Sequence, residues 1–371
     1  MISNTEESDL QSIDTLDDEH KVPFRRALGN LLSTDRAEYT YAQIIDGLPT
    51  RESFKEGYHV VQGHPVFELN HTQICPGSID KIRKFRAQLD YSSLRFQKHL
   101  NAFTTQLLYA FNDTTVGSRG FHLRFIELVV VACHQLAVHL YNLDDGAHKH
   151  EVVDTWLQQH RMESVLNRAA RIFPGTYYLP PTAFFHRFYT HYEQYPCGVA
   201  DVVGYWAEGM IFGGVVVFDR GETEQECNAM WLHGHRAGGP TTLYPPTPTQ
   251  FESLMDFLLS SPNQDTPCPL PIHGTDDNRP RWHPYHALAQ YHIFRDKYER
   301  KLPPEPPQRR GHRMYPMDWP ELGDEWLIHN QAWIRNEGHE LSEADIAAAR
   351  TRLKEVTPSS PCWHGGAWPP D

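Results

Sequence analysis

Residues 121–141 (FHLRFIELVVVACHQLAVHLY) constrain this chain more than any other stretch. The run holds no Gly or Pro and is apolar around most of its circumference, so it predicts a helix that must be covered on nearly every side. Its length invites a membrane-spanning reading. Arg124, Glu127, His122, His134 and His139 argue against that, because charges in lipid are costly and few spans carry several. A buried core helix is expected instead, and no membrane partner. At helical spacing Arg124, Glu127 and His134 fall on one stripe, where Arg124 and Glu127 can pair at i, i+3; paired charge rather than catalysis is the expected role of that stripe.

Helical periodicity recurs on both sides. Apolar residues at helix-like intervals over 78–111 predict two helices or one kinked one, with Ser78 as N-cap, and residues 23–32 and 152–173 predict two more. Residues 39–77, punctuated by Gly and Pro, predict little regular structure. Residues 215–218, 229–232 and 241–244 have strand composition, and Thr247-Pro248-Thr249-Gln250 then reads as a helix start with Thr at N-cap, Pro at N1 and Gln at N3. Further helices are expected over 286–301, 324–335 and 342–356. The fold class that follows is α+β, mainly helical with one small antiparallel β-meander. Three parts are expected: a disordered acidic tail over 1–20, a main globular domain over 21–300, and a proline-rich connection with C-terminal helices over 301–371.

The formal charge is −13, but residues 1–20 hold seven acidic side chains (Glu6, Glu7, Asp9, Asp14, Asp17, Asp18, Glu19) and no Lys or Arg. Such a segment is expected to stay disordered, and the mildly acidic remainder argues against nucleic acid as a partner. No basic region followed by an apolar run opens the chain, so no secretory or transit signal is visible and a cytoplasmic location is expected. The six cysteines are scattered without a CxxC pair, which predicts free thiols. The 23 histidines direct attention to metal or proton-transfer chemistry.

The candidate chemistry concentrates in residues 198–235. Glu208 sits among bulky apolar side chains, where a carboxylate is either paired with an arginine or raised in pKa and available as a general acid or base. Asp219 and Arg220 complete the candidate catalytic set. His233 and His235 stand at i and i+2, on one face if they share a strand, and a mononuclear metal would need a carboxylate from Glu222 or Asp219 across the hairpin. The lone pair of histidines is a weak signal, and surface histidines are the commoner outcome. Haem is a less favoured cofactor, with His134 or His139 as axial ligand. The turn Asp144-Asp145-Gly146 followed by His148-Lys149-His150-Glu151 reads as a solvated loop. No Walker loop, GxGxxG, HExxH or GxSxG is present, so nucleotide hydrolysis, dinucleotide binding, zincin proteolysis and α/β-hydrolase chemistry lack support.

The phrases QYPCGVADVVGYWAEGMIFGGVVVFDRGE and YHIFRDKYERK resemble a protein family of filamentous fungi with no established activity, over roughly residues 121–301. The resemblance implies fungal origin and no mechanism. The expected function is a cytosolic enzyme that modifies a small molecule, in fungal specialised metabolism, at a histidine-carboxylate site near the central sheet. The alternative is a non-catalytic interaction or regulatory protein using the acidic tail and the proline-rich residues 303–320.

Overall fold

A computed structural model describes residues 13–57, 64–89, 101–166, 180–234, 236, 238–261, 264, 266–296, 316–337, 340–357, 360 and 362–363. In chain order its helices are α1 (Asp18–Leu32), α2 (Asp35–Asp46), α3 (Arg51–Gly57), α4 (Pro65–Glu68), α5 (Ser78–Gln88), α6 (Asn101–Asn112), α7 (Arg119–Leu143), α8 (His150–Leu166) and α9 (Val199–Phe212). Beyond the first three strands come α10 (Pro248–Leu259), α11 (Pro284–Gln290), α12 (Pro320–His329), α13 (Gln331–Asn336) and α14 (Glu343–Lys354). The strands are β1 (Gly214–Asp219), β2 (Met230–Gly234), β3 (Leu243–Tyr244) and β4 (Ile293–Phe294), joined in the order β3-β2-β1-β4 with every pairing antiparallel. The protein is therefore α+β and mainly helical, with one small antiparallel sheet.

The long apolar run forms α7, whose N-terminus is capped by the Ser118 hydroxyl accepting from the Phe121 amide at 3.0 Å. It is long and apolar enough to cross a membrane, yet 89% of its most apolar window is buried inside the fold. Helix α9 lies along it, and α1, α2 and α6 cover the other sides. Gly204 allows the close approach of α9, since a Cβ there would stand 2.4 Å from Cε1 of His134. After α9 the chain reverses at Gly213, whose φ of 94° suits glycine, and enters β1 directly.

Strand alternation divides the interior in two. Val216, Phe218, Met230 and Leu232 face the helical core built on α7 and α9. Val215, Val217, Trp231, Leu243 and Ile293 face a second core shared with Phe185, Tyr189, Tyr195 and Tyr205. The helix start at Thr247 carries the full capping box: its hydroxyl accepts from the Gln250 amide at 3.2 Å, and Gln250 Oε1 accepts from the Thr247 amide at 2.9 Å.

Three expectations need correction. Residues 39–77 are largely helical in their described parts, in α2, α3 and α4. The helix expected over 286–301 ends at Gln290; the Tyr291 ring lies tilted against Trp282 with ring centroids 3.6 Å apart, His292 takes a φ of 51°, and Ile293 and Phe294 pair with β1. The unpaired backbone along β1 recruits these residues, because an unsatisfied buried edge outweighs local helix propensity. The rest of that expected helix, residues 297–301, and most of the proline-rich connection lie outside the described residues.

The third concerns residues 13–20 of the expected disordered tail. Residues 1–12 lie outside the described set, but Ile13, Leu16 and His20 are buried. The Asp17 amide donates to Asn112 Oδ1 at 2.9 Å, and His20 meets Phe111 edge-on while its Nε2 lies 3.0 Å from the Thr114 carbonyl. Asp17, Asp18 and Glu19 are exposed on a segment whose other face buries Ile13, Leu16 and His20. Each buried Ile or Leu contributes about 1.5–3 kcal/mol. Deleting residues 1–20 should therefore destabilise the protein by roughly 3 kcal/mol or more. A melting temperature unchanged by the truncation would refute this packing.

Candidate metal centre

The C-terminus of α2 organises the site. Asp46 is its last residue and is fully buried, and Gly47 caps the helix in the left-handed region at φ 91°. The loop before α8 lies across this end: the His148 amide donates to the Asp46 carbonyl at 2.8 Å, satisfying one of the orphan carbonyls of the helix terminus. Both loops are glycine-dependent at the crossing. A Cβ on Gly47 would fall 1.8 Å from the His148 carbonyl oxygen, and one on Gly146 would fall 2.1 Å from that of Ile45.

Two further side chains arrive from the segment between α4 and α5. His71 is fixed by its backbone, with its amide donating to Val66 at 3.1 Å and its carbonyl accepting from Arg51 at 2.7 Å. Cys75 is fixed by its amide, which donates to Asp46 Oδ2 at 2.7 Å. Asp46, His71, Cys75 and His148 then place one ligand atom each within 4.8 Å of one another. Asp46 Oδ2 is 3.2 Å from His71 Nε2, Cys75 Sγ is 3.4 Å from His148 Nε2, and Asp46 Oδ1 is 4.0 Å from that same His148 nitrogen. Bonds of about 2.0–2.3 Å from one tetrahedral ion imply ligand separations of roughly 3.3–3.8 Å, close to these values.

The hydrogen bonds around the cluster orient it. His71 Nδ1 lies 2.9 Å from the Pro49 carbonyl, which can only accept, so this nitrogen carries a proton and Nε2 is the one turned to the cluster. Asp46 Oδ1 is buried and has no hydrogen-bond partner. Burial opposes ionisation of Asp46, but hydrogen bonds from His71 and from Cys75 outweigh it and hold the carboxyl below its ordinary value. Burial likewise opposes the charge on His71, and the bonds to Asp46 and Pro49 outweigh it, raising its pKa. Burial and then the Asp46 charge push the Cys75 thiol up, while burial keeps His148 low.

The residues singled out from sequence are distributed differently. Glu208 is fully buried and paired with an arginine, as one of the two readings required; the partner is Arg295 at 2.7 Å. Glu208 Oε1 is also 2.6 Å from His134 Nδ1, and His134 Nε2 is 3.1 Å from Asp201 Oδ1. Burial acts to lower the His134 pKa, but its bonds to Asp201 and Glu208 prevail and raise it. Both ring nitrogens of His134 are engaged by buried carboxylates, which leaves neither turned to a haem iron; His139 is exposed and stacks on Phe85. Arg220 is buried in a second ion group, 2.5 Å from Glu127, which in turn pairs with Arg124 at 2.9 Å. The paired stripe expected on α7 is present.

Asp219 is only partly buried, and its Oδ1 accepts from the Gly221 amide at 2.9 Å in a local turn. The hairpin register parts it from the expected metal ligands. His233 pairs with Val215, four residues back along β1 from Asp219, or roughly 13 Å at about 3.3 Å per residue. Glu222 is exposed in the hairpin loop beyond Asp219, so neither carboxylate folds back onto His233. His233 is a buried side chain whose Nδ1 lies 3.2 Å from the Tyr189 hydroxyl, not a surface histidine. His235 lies outside the described residues. Among the described residues, the grouping with metal-ligand chemistry is the one at Asp46.

That grouping had one local sequence signal, the His71-x-x-x-Cys75 spacing. Its other members come from a helix terminus and from a turn read as solvated loop. No family model, curated protein or solved structure matches this chain.

Proposed function

We propose that the protein binds one divalent transition metal ion, zinc by preference, through Asp46, His71, Cys75 and His148. The observation that carries this reading is the convergence of a carboxylate, two imidazoles and a thiol from three separate segments, with the buried Asp46 Oδ1 otherwise without a partner. The mixed N, S and O set, with its ligand atoms within 4.8 Å of one another, suits zinc better than calcium or magnesium, which take oxygen ligands. A closed set of four protein ligands argues for a structural ion, clamping the end of α2 to the segments at 71–75 and 144–150.

The charge balance supports it. Before binding, an ionised Asp46 faces a protonated His71; afterwards a dication faces one carboxylate and one thiolate. Two protons leave, one from His71 and one from Cys75, and the net charge of the cluster is unchanged, so metal loading adds no uncompensated charge to a buried site.

Protein purified without chelators should carry close to one equivalent of zinc by elemental analysis. Asp46→Ala and Cys75→Ser should each lower occupancy by at least tenfold. Metal-free wild type that also fails to take up added zinc would overturn the assignment.

A second reading, an enzyme that modifies a small molecule near the central sheet, is favoured by one observation: a cavity bounded by His233, Tyr189 and the strands.

A further inference from the structure

The face of the sheet turned towards the second core leaves a cavity of about 200 Å³ between the strands and the aromatic segment that precedes α9. Its floor is apolar, with Val217 from β1, Leu243 from β3 and Ile293 and Phe294 from β4. One wall is aromatic: Phe188 stacks on His233 with centroids 4.3 Å apart, and Tyr189 stands beside them. Phe188 is 36% exposed, which leaves the cavity a way out to solvent.

Arg187 lines this cavity, and its guanidinium lies 4.9 Å from the centre of the Phe188 ring. Its Nε and Nη2 are shielded from water and have no hydrogen-bond partner. The acid whose charge it feels is Asp318, but Oδ1 of that carboxylate is committed to the Thr241 amide at 2.5 Å and hydroxyl at 2.9 Å. Gln194 Oε1, from a second residue on the cavity wall, is also buried without a partner. Buried donors and acceptors of this kind are ordinarily paired, and a guanidinium presents its N–H groups in a planar fork that matches a carboxylate.

We infer that this cavity binds a small aromatic carboxylate, with the acid group on Arg187 and the ring between Phe188 and the apolar floor. The size fits: a cavity of about 150 Å³ accommodates a benzene ring, so the volume here takes a ring and its carboxylate. The lining fits as well, since an apolar cavity with few polar groups orients a ligand through those groups. The aromatic wall favours a planar ring over a bare anion. None of the metal-centre residues takes part, so the inference stands apart from the metal reading.

Benzoate is the probe, with benzamide as its neutral counterpart and inorganic phosphate as an anion without a ring. Titration of full-length protein, followed by calorimetry and by the chemical shifts of the cavity residues, should show benzoate binding with Kd of about 1 mM or tighter. Benzamide and phosphate should each bind at least tenfold more weakly. Arg187→Met should weaken benzoate at least tenfold without lowering the melting temperature, because it removes a half-buried guanidinium whose shielded Nε and Nη2 make no hydrogen bond in the fold. Arg187→Lys, which keeps the cation and loses the fork, should fall between wild type and Arg187→Met, and it reads the site if the methionine variant does not fold. Equal binding of benzoate and benzamide, phosphate competing as strongly as benzoate, no benzoate binding, or wild-type affinity in Arg187→Lys would each overturn the inference.

Discussion

Glu208→Gln should destabilise the protein by about 3–5 kcal/mol, the range for breaking a buried ion pair by removing one partner. The carboxylate is fully buried and holds Arg295 at 2.7 Å, His134 at 2.6 Å and the Val216 amide at 3.3 Å. An amide in its place removes the buried negative charge that Arg295 and His134 both face, and the uncompensated guanidinium accounts for most of the loss. Asp219→Asn supplies the control: its carboxylate is partly exposed and serves a local turn, so the change should stay within about 0.5 kcal/mol. Denaturant unfolding of the two variants beside wild type makes the comparison. The pH dependence adds a second readout through His134. Its folded pKa is raised, so the stability it contributes is fully present below the unfolded value of about 6.5 and is lost as pH rises through the raised value. Wild type should lose stability across that window, and Glu208→Gln should show a shallower slope there. Equal stability of Glu208→Gln and wild type would remove the ion pair from any account of this fold.

Metal affinity should fall steeply as the solution is acidified. Binding needs the thiolate of Cys75 and the free Nε2 of His71, so two protons compete with the ion and apparent affinity should change by up to about a hundredfold per pH unit while both remain to be displaced. The apo protein responds to acid in the same direction through Asp46. Its folded pKa is lowered, so its contribution is present above the unfolded value of about 3.9 and is lost as pH falls through the folded one. Zinc at a hundred times its Kd should raise stability by about 2.7 kcal/mol, and a chelator should reverse that gain. His71→Ala should abolish both the zinc-induced gain and its pH dependence. A zinc effect of the same size in His71→Ala would place the ion elsewhere.

Much of the architecture was legible from periodicity, because it is set locally. The apolar circumference of residues 121–141 required a covered helix, and the covered helix is α7. The Thr247 to Gln250 capping box specified a helix start through contacts three residues apart, and those contacts form. Residues 215–218 and 230–232 alternate between two cores as strand geometry demands. Burial of Glu208 also followed from its neighbours Trp206, Met210 and Ile211, which left it either paired or raised in pKa; the structure shows the pair.

Tertiary structure decided the partners. Arg295 meets Glu208 because β4 joins the edge of β1 beside α9, a pairing across many residues that no local pattern records. The hairpin register parted His233 from Asp219, whereas spacing alone fixes only which face a strand residue occupies. The metal centre shows the same division. His71 and Cys75 are near neighbours in the chain, but Asp46 ends a helix and His148 sits in a turn whose composition reads as solvated. Helix caps, turns and periodic faces depend on residues within about one turn of each other, so sequence alone determined them. A site assembled from separate segments depends on how whole elements dock, and Gly47 and Gly146, which let the last two meet, carry no sign in the sequence of what they bring together.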